Sequence, residues 1–430
     1  MNYPDSVQFL YSLGNEIKTA KLGLDRIRVV LDALGRPQDR LRFIHIAGTN
    51  GKGSTCAMIE AGLRAAGQRT GLFTSPHLTE PTERIRIDGR PIAASRFAEA
   101  FDRVHAAVEQ LLADGAIDLH ATYFETVTAM ALLVFAEEAV DRVVLEVGLG
   151  GRLDATNVVT PELCVITPID FDHEAFLGKS LESIAGEKAG ILKPGIPAVF
   201  ARQRLEAAEV LDRQATATGI AVDRTAEHPI RDLMLTTRGS EFRLDDLAIR
   251  CPLAGEHQVE NAVTAAVALV RLGIPRRAIE GGIARTEWPG RLEHISEGPE
   301  IILDGAHNPA GARALAAYID RFYAGRPITL IYGAMRDKAV AEIAGVLFPR
   351  AARVIATAPR QPRALSPDVI REIAEHPNLQ CAPDIGSALS RIEGETVFIT
   401  GSLFLVAEAR ALIRPHAGDD HLLLRPIDSV

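Results

Sequence analysis

The sequence predicts an α/β fold: a mostly parallel sheet flanked by helices, followed by a smaller C-terminal α/β domain of Rossmann-like type. Three observations predict it. Short apolar runs of strand length alternate with longer amphipathic runs through most of the chain. That rhythm breaks between Ile220 and Cys251, and again at Glu287-Trp288-Pro289-Gly290-Arg291, where Pro-Gly is a strong breaker. A chain of 430 residues also exceeds one compact core, so two domains are expected.

The elements follow in order. Residues 1 to about 35 read as helical, with an apolar stripe through Ile27, Val30, Leu31 and Leu34 and a stop at Gly35-Arg36-Pro37. Strands are expected at Leu41–Ile46, Gly71–Thr74, Arg142–Val147, Leu163–Thr167 and Ala198–Ala201. Helices are expected at Ser54–Ala66, Ser95–Leu112, Tyr123–Val140, Leu181–Ala189 and Leu205–Thr218. Ile220–Cys251 reads as a small antiparallel patch, carrying the β-type pieces Glu241–Leu244 and Leu247–Cys251. A second αβ series has strands at Ile301–Leu303, Thr329–Tyr332, Arg353–Ala356 and Thr396–Ile399. The hinge at 287–291 sets domain bounds of 1–288 and 292–430, and Pro415–Val430 reads as a loosely attached tail.

Composition narrows the function classes. With 47% hydrophobic and 24% charged residues the chain matches an ordinary soluble protein, and a net charge of -9 argues against a nucleic-acid partner. Cys56, Cys164, Cys251 and Cys381 lie far apart with no C-x-x-C pair, which suggests reduced thiols and neither a cysteine zinc site nor a disulfide frame. Met1–Asp5 does not open a signal peptide, and no apolar run is long enough for a bilayer. The expected address is the cytoplasm.

The richest stretch is His45-Ile46-Ala47-Gly48-Thr49-Asn50-Gly51-Lys52-Gly53-Ser54. A strand that breaks into a glycine turn and opens a helix is a phosphate cradle: backbone N–H groups turn inward, the helix N-terminus adds partial charge, and Lys52 adds a full one. This makes the sheet domain phosphate-loop-like and a nucleotide triphosphate the leading ligand. The usual pattern wants a glycine where Ile46 stands and a hydroxyl where Gly53 stands, so a metal needs a ligand from elsewhere. Ser75 can supply that hydroxyl, or be a turn residue before Pro76. Glu146 ends an apolar strand and is either a metal ligand or an acid exposed at the strand terminus. His173 is either a neutral imidazole ligand or a surface group. These donors suit Mg²⁺ on phosphate oxygens. Gly148–Asn157 fails as a dinucleotide motif because Leu153 replaces the third glycine, and it reads as a flexible loop. Asp304-Gly305-Ala306-His307-Asn308-Pro309 gathers polar groups at a strand end and is a candidate to grip the nucleotide across a cleft from the phosphate loop.

Side by side, these motifs resemble the folylpolyglutamate synthase/dihydrofolate synthase family of Mur-ligase-like amide ligases. The carrying residues are Gly48–Ser54, Thr74–Leu78 with Thr82–Ile85, Glu146–Asn157, Asp172-His173, Glu187–Ile191, Asp304–Pro309 and Thr400–Leu403, in family order. The gapped phosphate loop is similar to the family's own. The resemblance implies a reaction in which ATP phosphorylates a carboxylate and the amine of L-glutamate attacks the acyl phosphate. It implies ATP contacts by Thr49, Asn50, Gly51, Lys52, Gly53 and Ser54, and by Asn261, Arg291, Asp304 and His307. It implies two Mg²⁺ ions held by Ser75, Glu146, His173 and a carbamylated Lys188, with Lys52, Lys188 and His173 as the catalytic set. Dihydropteroate or a reduced folate would meet Leu22-Gly23-Leu24, Thr122-Tyr123-Phe124-Glu125 and Leu153-Asp154-Ala155. Tyr123 and Phe124 suit a flat ring, or simply start a buried helix. Thr79-Glu80-Pro81-Thr82 stands where many relatives carry an aromatic or basic residue. A monomer acting on small molecules, without nucleic acid or membrane, is expected. Two other readings compete: a cell-wall precursor ligase of the Mur branch, where Thr normally follows the loop lysine, and a nucleotide-binding switch, which would want Asn-Lys-x-Asp.

Overall fold

Residues Phe43–Ala47 form a strand (β1) shielded from water along its whole length, as a strand covered on both faces must be. The computed structural model describes residues 1–13, 23–394 and 396–414. In chain order the further strands are β2 (Thr70–Phe73), β3 (Ile85–Ile87), β4 (Arg90–Pro91), β5 (Arg142–Glu146), β6 (Leu163–Ile166), β7 (Ala198–Phe200) and β8 (Val222–Arg224). With β1 they build one sheet of order β4-β3-β2-β5-β1-β6-β7-β8. β2, β5, β1, β6, β7 and β8 are parallel neighbours, and β3 and then β4 are added at one edge by antiparallel pairing. The α/β class expected from the alternation is the observed one.

Helices cover the sheet because each carries an apolar stripe. Tyr3–Ser12, Asp25–Ala33, Ala94–Ala113 and Tyr123–Glu137 supply one continuous core with Phe43, Phe73 and Leu145. Leu181–Ala189 and Leu205–Thr218 supply another, with Ala47, Cys164 and Ile166. The helical reading of residues 1–35 resolves into Tyr3–Ser12 and Asp25–Ala33. Leu22 and Pro415–Val430 lie outside the described residues.

The segment after β8 forms β9 (Ile230–Thr236), β10 (Gly239–Leu244) and β11 (Leu247–Cys251), a sheet of order β11-β10-β9. Its two-residue turns are connections that suit an antiparallel pair. The second series gives β12 (Glu293–Glu297), β13 (Glu300–Leu303), β14 (Ile328–Tyr332), β15 (Arg353–Ala356), β16 (Leu379–Cys381) and β17 (Thr396–Thr400), ordered β12-β13-β17-β14-β15-β16. All are parallel except β12. The chain divides into two compact units: Met1–Asp232 with Phe242–Arg250 and Glu260–Thr286, and Leu233–Glu241 with Cys251–Val259 and Glu287–Val430. Among the described residues no helix is long and apolar enough to cross a membrane.

Candidate active site

In the first unit β2, β5, β1 and β6 are consecutive parallel neighbours, so whatever follows each strand emerges at the same edge. Gly48–Gly51 follows β1, Ser75 lies two residues past β2, Glu146 ends β5, and Thr167–His173 follows β6. Residues spread over 126 positions of sequence are thereby gathered at one rim.

The loop after β1 is shaped by contacts only glycine permits. A Cβ on Gly48 (φ +150°) would lie 1.8 Å from Thr167 Oγ1, and one on Gly51 (φ +83°) 2.1 Å from Asn261 Oδ1. The Thr49 and Asn50 amides both donate to the Pro168 carbonyl, at 3.0 and 3.1 Å, and Thr49 Oγ1 donates to Asp170 O at 2.9 Å. The helix Lys52–Ala65 starts at Gly51 without a side-chain cap, leaving its first turn unclaimed by a cap oxygen. Ser54, in that turn, is buried. Asn261, on the helix Glu256–Arg271, is buried beside Gly51.

Two ammonium groups meet at one carbonyl. Lys52 Nζ folds back on its own loop, donating to Gly48 O at 3.2 Å and Thr49 O at 3.3 Å. Lys188 Nζ donates to the same Gly48 O at 2.8 Å from the last turn of Leu181–Ala189. Burial, reinforced by the Lys52 charge and opposed by Asp172 and Asp154, pushes the Lys188 amine down to about 7. A large fraction is therefore an unprotonated amine near neutrality, unlike an ordinary solvated lysine.

Glu146 is only 3% exposed, which excludes the reading of a solvated strand end. Its Oε2 accepts the Ser75 amide at 3.1 Å, so the carboxylate and Ser75 are neighbours. Glu146 and Lys52 both act on the buried Cys56 thiol, which burial holds well above its ordinary range. A buried carboxylate whose neighbour along the rim is a serine offers hard-oxygen donors of the kind that fit Mg²⁺. His173 adopts a left-handed conformation (φ +52°), its amide donates to Asp172 Oδ1 at 2.9 Å, and its ring stays partly exposed. Asp172 links it electrostatically to Lys188.

The stretch Gly148–Asn157 is not the flexible loop its glycines suggest. A Cβ on Gly148 would lie 2.5 Å from the Phe124 ring, and one on Gly151 2.8 Å from Glu187 O. These glycines are small because two helices press on them. Arg152 donates its amide to Glu187 O at 2.8 Å, and Asn157 Nδ2 bridges Arg152 O and Gly190 O at 3.0 and 3.1 Å. Asp154 is buried and caps Ala155–Val158, accepting from Thr156 N at 3.0 Å and Leu149 N at 2.8 Å, while burial raises its pKa. His45 on β1 reaches Thr156 Oγ1 at 2.9 Å and is kept neutral, its pKa pushed down to about 3 by burial and then Lys193.

Thr122 and Glu125 form a capping box at the start of Tyr123–Glu137, and Glu125 pairs with Arg26 at 2.7 Å. Tyr123 is a buried helix start, its ring stacked on Tyr11 at 5.7 Å with the Arg84 guanidinium 5.0 Å from its centroid. Arg84 Nε donates to His77 Nδ1 at 2.9 Å, so that nitrogen carries no proton and Nε2 faces Tyr11 OH at 3.3 Å. Phe124 is half-buried against Phe73, Ala155 is buried, and Leu153 is exposed. Gly23 and Leu24 are half-buried where the helix Asp25–Ala33 starts. The Tyr11–His77–Arg84 cluster carries no short-range sequence signal. Glu83 accepts the amides of Leu78, Thr79 and Glu80 at 2.9–3.0 Å and so shapes the loop beside it.

In the second unit β13 runs into Asp304, which is buried and accepts Leu292 N at 3.0 Å and Ala306 N at 2.9 Å. Burial raises its pKa, with Arg291 opposing. Arg291 packs against Gly305, where a Cβ would lie 2.2 Å from its Nη1. His307 Nδ1 donates to Gly305 O at 2.8 Å, and Asn308 caps the helix Pro309–Phe322. Arg291, Asp304 and His307 are thus one cluster: the motif Asp304–Pro309 holds two of them, and Arg291 joins from the breaker segment before β12.

The chain matches the Mur ligase middle domain over residues 46–269 and the Mur ligase glutamate ligase domain over residues 290–403. It is 36% identical over 427 residues to folylpolyglutamate synthase of Lacticaseibacillus casei, covering 95% of this chain and 98% of that one. Identity to the dihydrofolate synthase/folylpolyglutamate synthase of Bacillus subtilis is 35% over 412 residues, 92% and 95% of the two chains. Among solved structures it is similar to Mycobacterium tuberculosis folylpolyglutamate synthase complexed with ADP and AMPPCP (TM-score 0.88, 33% identity, 96% of this chain and 100% of that one). It is also similar to Escherichia coli FolC in complex with DHPP and ADP (TM-score 0.84, 31% identity, 96% and 98%).

Proposed function

We propose, from the premise that this chain belongs to the folylpolyglutamate synthase/dihydrofolate synthase family of Mur-type ligases, that it joins L-glutamate to dihydropteroate and to folates already bearing glutamate. It is an ATP-dependent ligase. The γ-phosphoryl group passes from ATP to the carboxylate of the pterin substrate, releasing ADP. The glutamate amine then attacks the acyl phosphate, an amide C–N bond forms, and phosphate leaves with the proton going to solvent or a base.

The carrying observation is the meeting of Lys52 and Lys188 on the Gly48 carbonyl, at an uncapped helix start on the Glu146 strand edge. Thr49–Ser54 cradle the β- and γ-phosphates, and Lys52 swings from its own loop carbonyls onto the transferring group. Asn261 supports the loop, while Arg291, Asp304 and His307 contribute further nucleotide contacts from their own unit. Lys188 adds CO₂ through its unprotonated amine, forming an N–C bond and losing a proton, so that a cation becomes a carbamate anion. Ser75, Glu146, His173 and that carbamate would hold two Mg²⁺ ions, which neutralise charge on phosphoryl oxygens when bound. Gly23-Leu24, Thr122–Glu125 and Leu153–Ala155 border the pterin. We take residues 1–288 as the ATP-binding domain and 292–430 as the glutamate ligase domain, in a cytoplasmic monomer.

Purified protein with Mg-ATP and labelled glutamate, given dihydropteroate in one tube and tetrahydrofolate in another, tests this directly. Label entering product with equimolar ADP is expected in both tubes. No incorporation in either overturns the assignment.

A further inference from the structure

A second group of ligand-type side chains lies away from the strand edge. His105 and Glu109 sit one turn apart on the helix Ala94–Ala113, facing the same way, and His120 follows in the segment that leads to the Thr122 cap. One donor atom from each lies within 4.8 Å of the others. His105 Nδ1 is 3.9 Å and His120 Nε2 3.8 Å from the same oxygen, Glu109 Oε1. Both separations exceed a hydrogen bond, and both nitrogens are buried without a hydrogen-bond partner.

An ordinary ion pair explains this poorly. It would bring a ring N–H to within about 3.2 Å of the carboxylate oxygen, and both gaps are wider than that. His120 Nδ1 lies 2.8 Å from the Ala121 carbonyl, a bond that only a protonated Nδ1 can donate. In the neutral ring Nε2 is then a lone-pair donor aimed at the cluster, as in metal-bound histidines. Phe9 packs against both rings, at 4.5 Å from His105 and 5.5 Å from His120, and Phe101 stacks on His105 at 5.4 Å. The imidazoles are held in place while Glu109 stays on the surface.

We propose that His105, Glu109 and His120 form a zinc-type metal site distinct from the ligase centre. Two imidazoles and one carboxylate are a borderline-soft set suited to Zn²⁺ rather than Mg²⁺. Metal–ligand bonds of about 2.0–2.2 Å in a tetrahedron put neighbouring ligand atoms about 3.3–3.6 Å apart. The 3.8–3.9 Å gaps close to that by a small movement of the exposed Glu109 side chain, and the two ring nitrogens, within 4.8 Å of each other, by a small tilt of the rings, with water as fourth ligand. The ion would tie the segment before Thr122 to the helix Ala94–Ala113.

Co²⁺, a zinc surrogate with visible ligand-field absorption, tests the site on chelator-stripped full-length protein in excess Mg²⁺. One Co²⁺ per chain is expected, displaced by Zn²⁺. Loss of an outer-shell partner alone weakens metal binding by about 10–100-fold, so Glu109→Gln and His120→Ala should each weaken it by at least about 100-fold. Glu109 lies on the helix surface, so its variant should keep the wild-type circular dichroism and ligase rate. Absence of Co²⁺ absorption in the wild type, or full absorption in either variant, overturns the site.

Discussion

Replacing Lys188 with Met should make the folded chain more resistant to urea near neutral pH, and that gain should shrink as pH rises. The buried amine has a pKa of about 7, against the 10.5 of the free side chain. Below pH 7 the native state carries a buried ammonium at full penalty. Above it the native amine is neutral, while the unfolded chain keeps its proton up to 10.5. Across that window the unfolded state binds one more proton, so wild-type stability rises by about 1.4 kcal/mol per pH unit. The whole window amounts to roughly 5 kcal/mol at pH 7, as an order of magnitude. The lost hydrogen bond to Gly48 takes back about 1–3 kcal/mol without reproducing the slope. The assay is equilibrium urea unfolding of both proteins in CO₂-free buffer at about pH 7, 8 and 9, followed by circular dichroism. Groups common to both proteins cancel in the difference. An advantage for Lys188→Met that is unchanged from about pH 7 to 9 would refute a buried amine of depressed pKa.

Three further outcomes follow from the same geometry. Lys52→Ala and Glu146→Ala should each lower glutamate-dependent ADP formation by at least about 100-fold with circular dichroism unchanged, and turnover retained in both would remove the assigned centre. Gly48→Ala drives a Cβ to 1.8 Å from Thr167 Oγ1, so calorimetry should show a destabilisation of at least about 1–3 kcal/mol and ATP binding should fail; a wild-type melting curve would contradict the close packing. Glu125→Ala strips the capping box and leaves the half-buried Arg26 without its carboxylate, a loss of about 3–5 kcal/mol in chemical denaturation, whereas a change under about 1 kcal/mol would mean the pair is effectively solvated.

The strand edge was legible in the sequence because each of its signals is local. The apolar runs of β1, β5 and β6 and the Gly48–Lys52 turn announce themselves within ten residues, and Glu146 is conspicuous as an acid on an apolar strand. What stayed hidden depends on distance along the chain. Nothing near Lys188 says that its amine meets Gly48 O, 140 positions earlier, or that burial there loosens its proton. The stack of Tyr11, His77, Arg84 and Tyr123 joins three separate segments. β3 and the edge strand β4 are short and carry arginine, lacking the apolar run of a buried strand. Gly148 and Gly151 were misread because tight packing and looseness both ask for glycine, and only the neighbouring Phe124 and Glu187 tell them apart.

The Glu83 carboxylate draws three successive amides, Leu78 to Glu80, into one arc. Main-chain course there is dictated from outside the arc, not by what the arc's own residues carry. The side chain at position 79 can therefore be exchanged while the path it rides on keeps its curvature, which makes this bend a surface that can be re-dressed without endangering the sheet beneath.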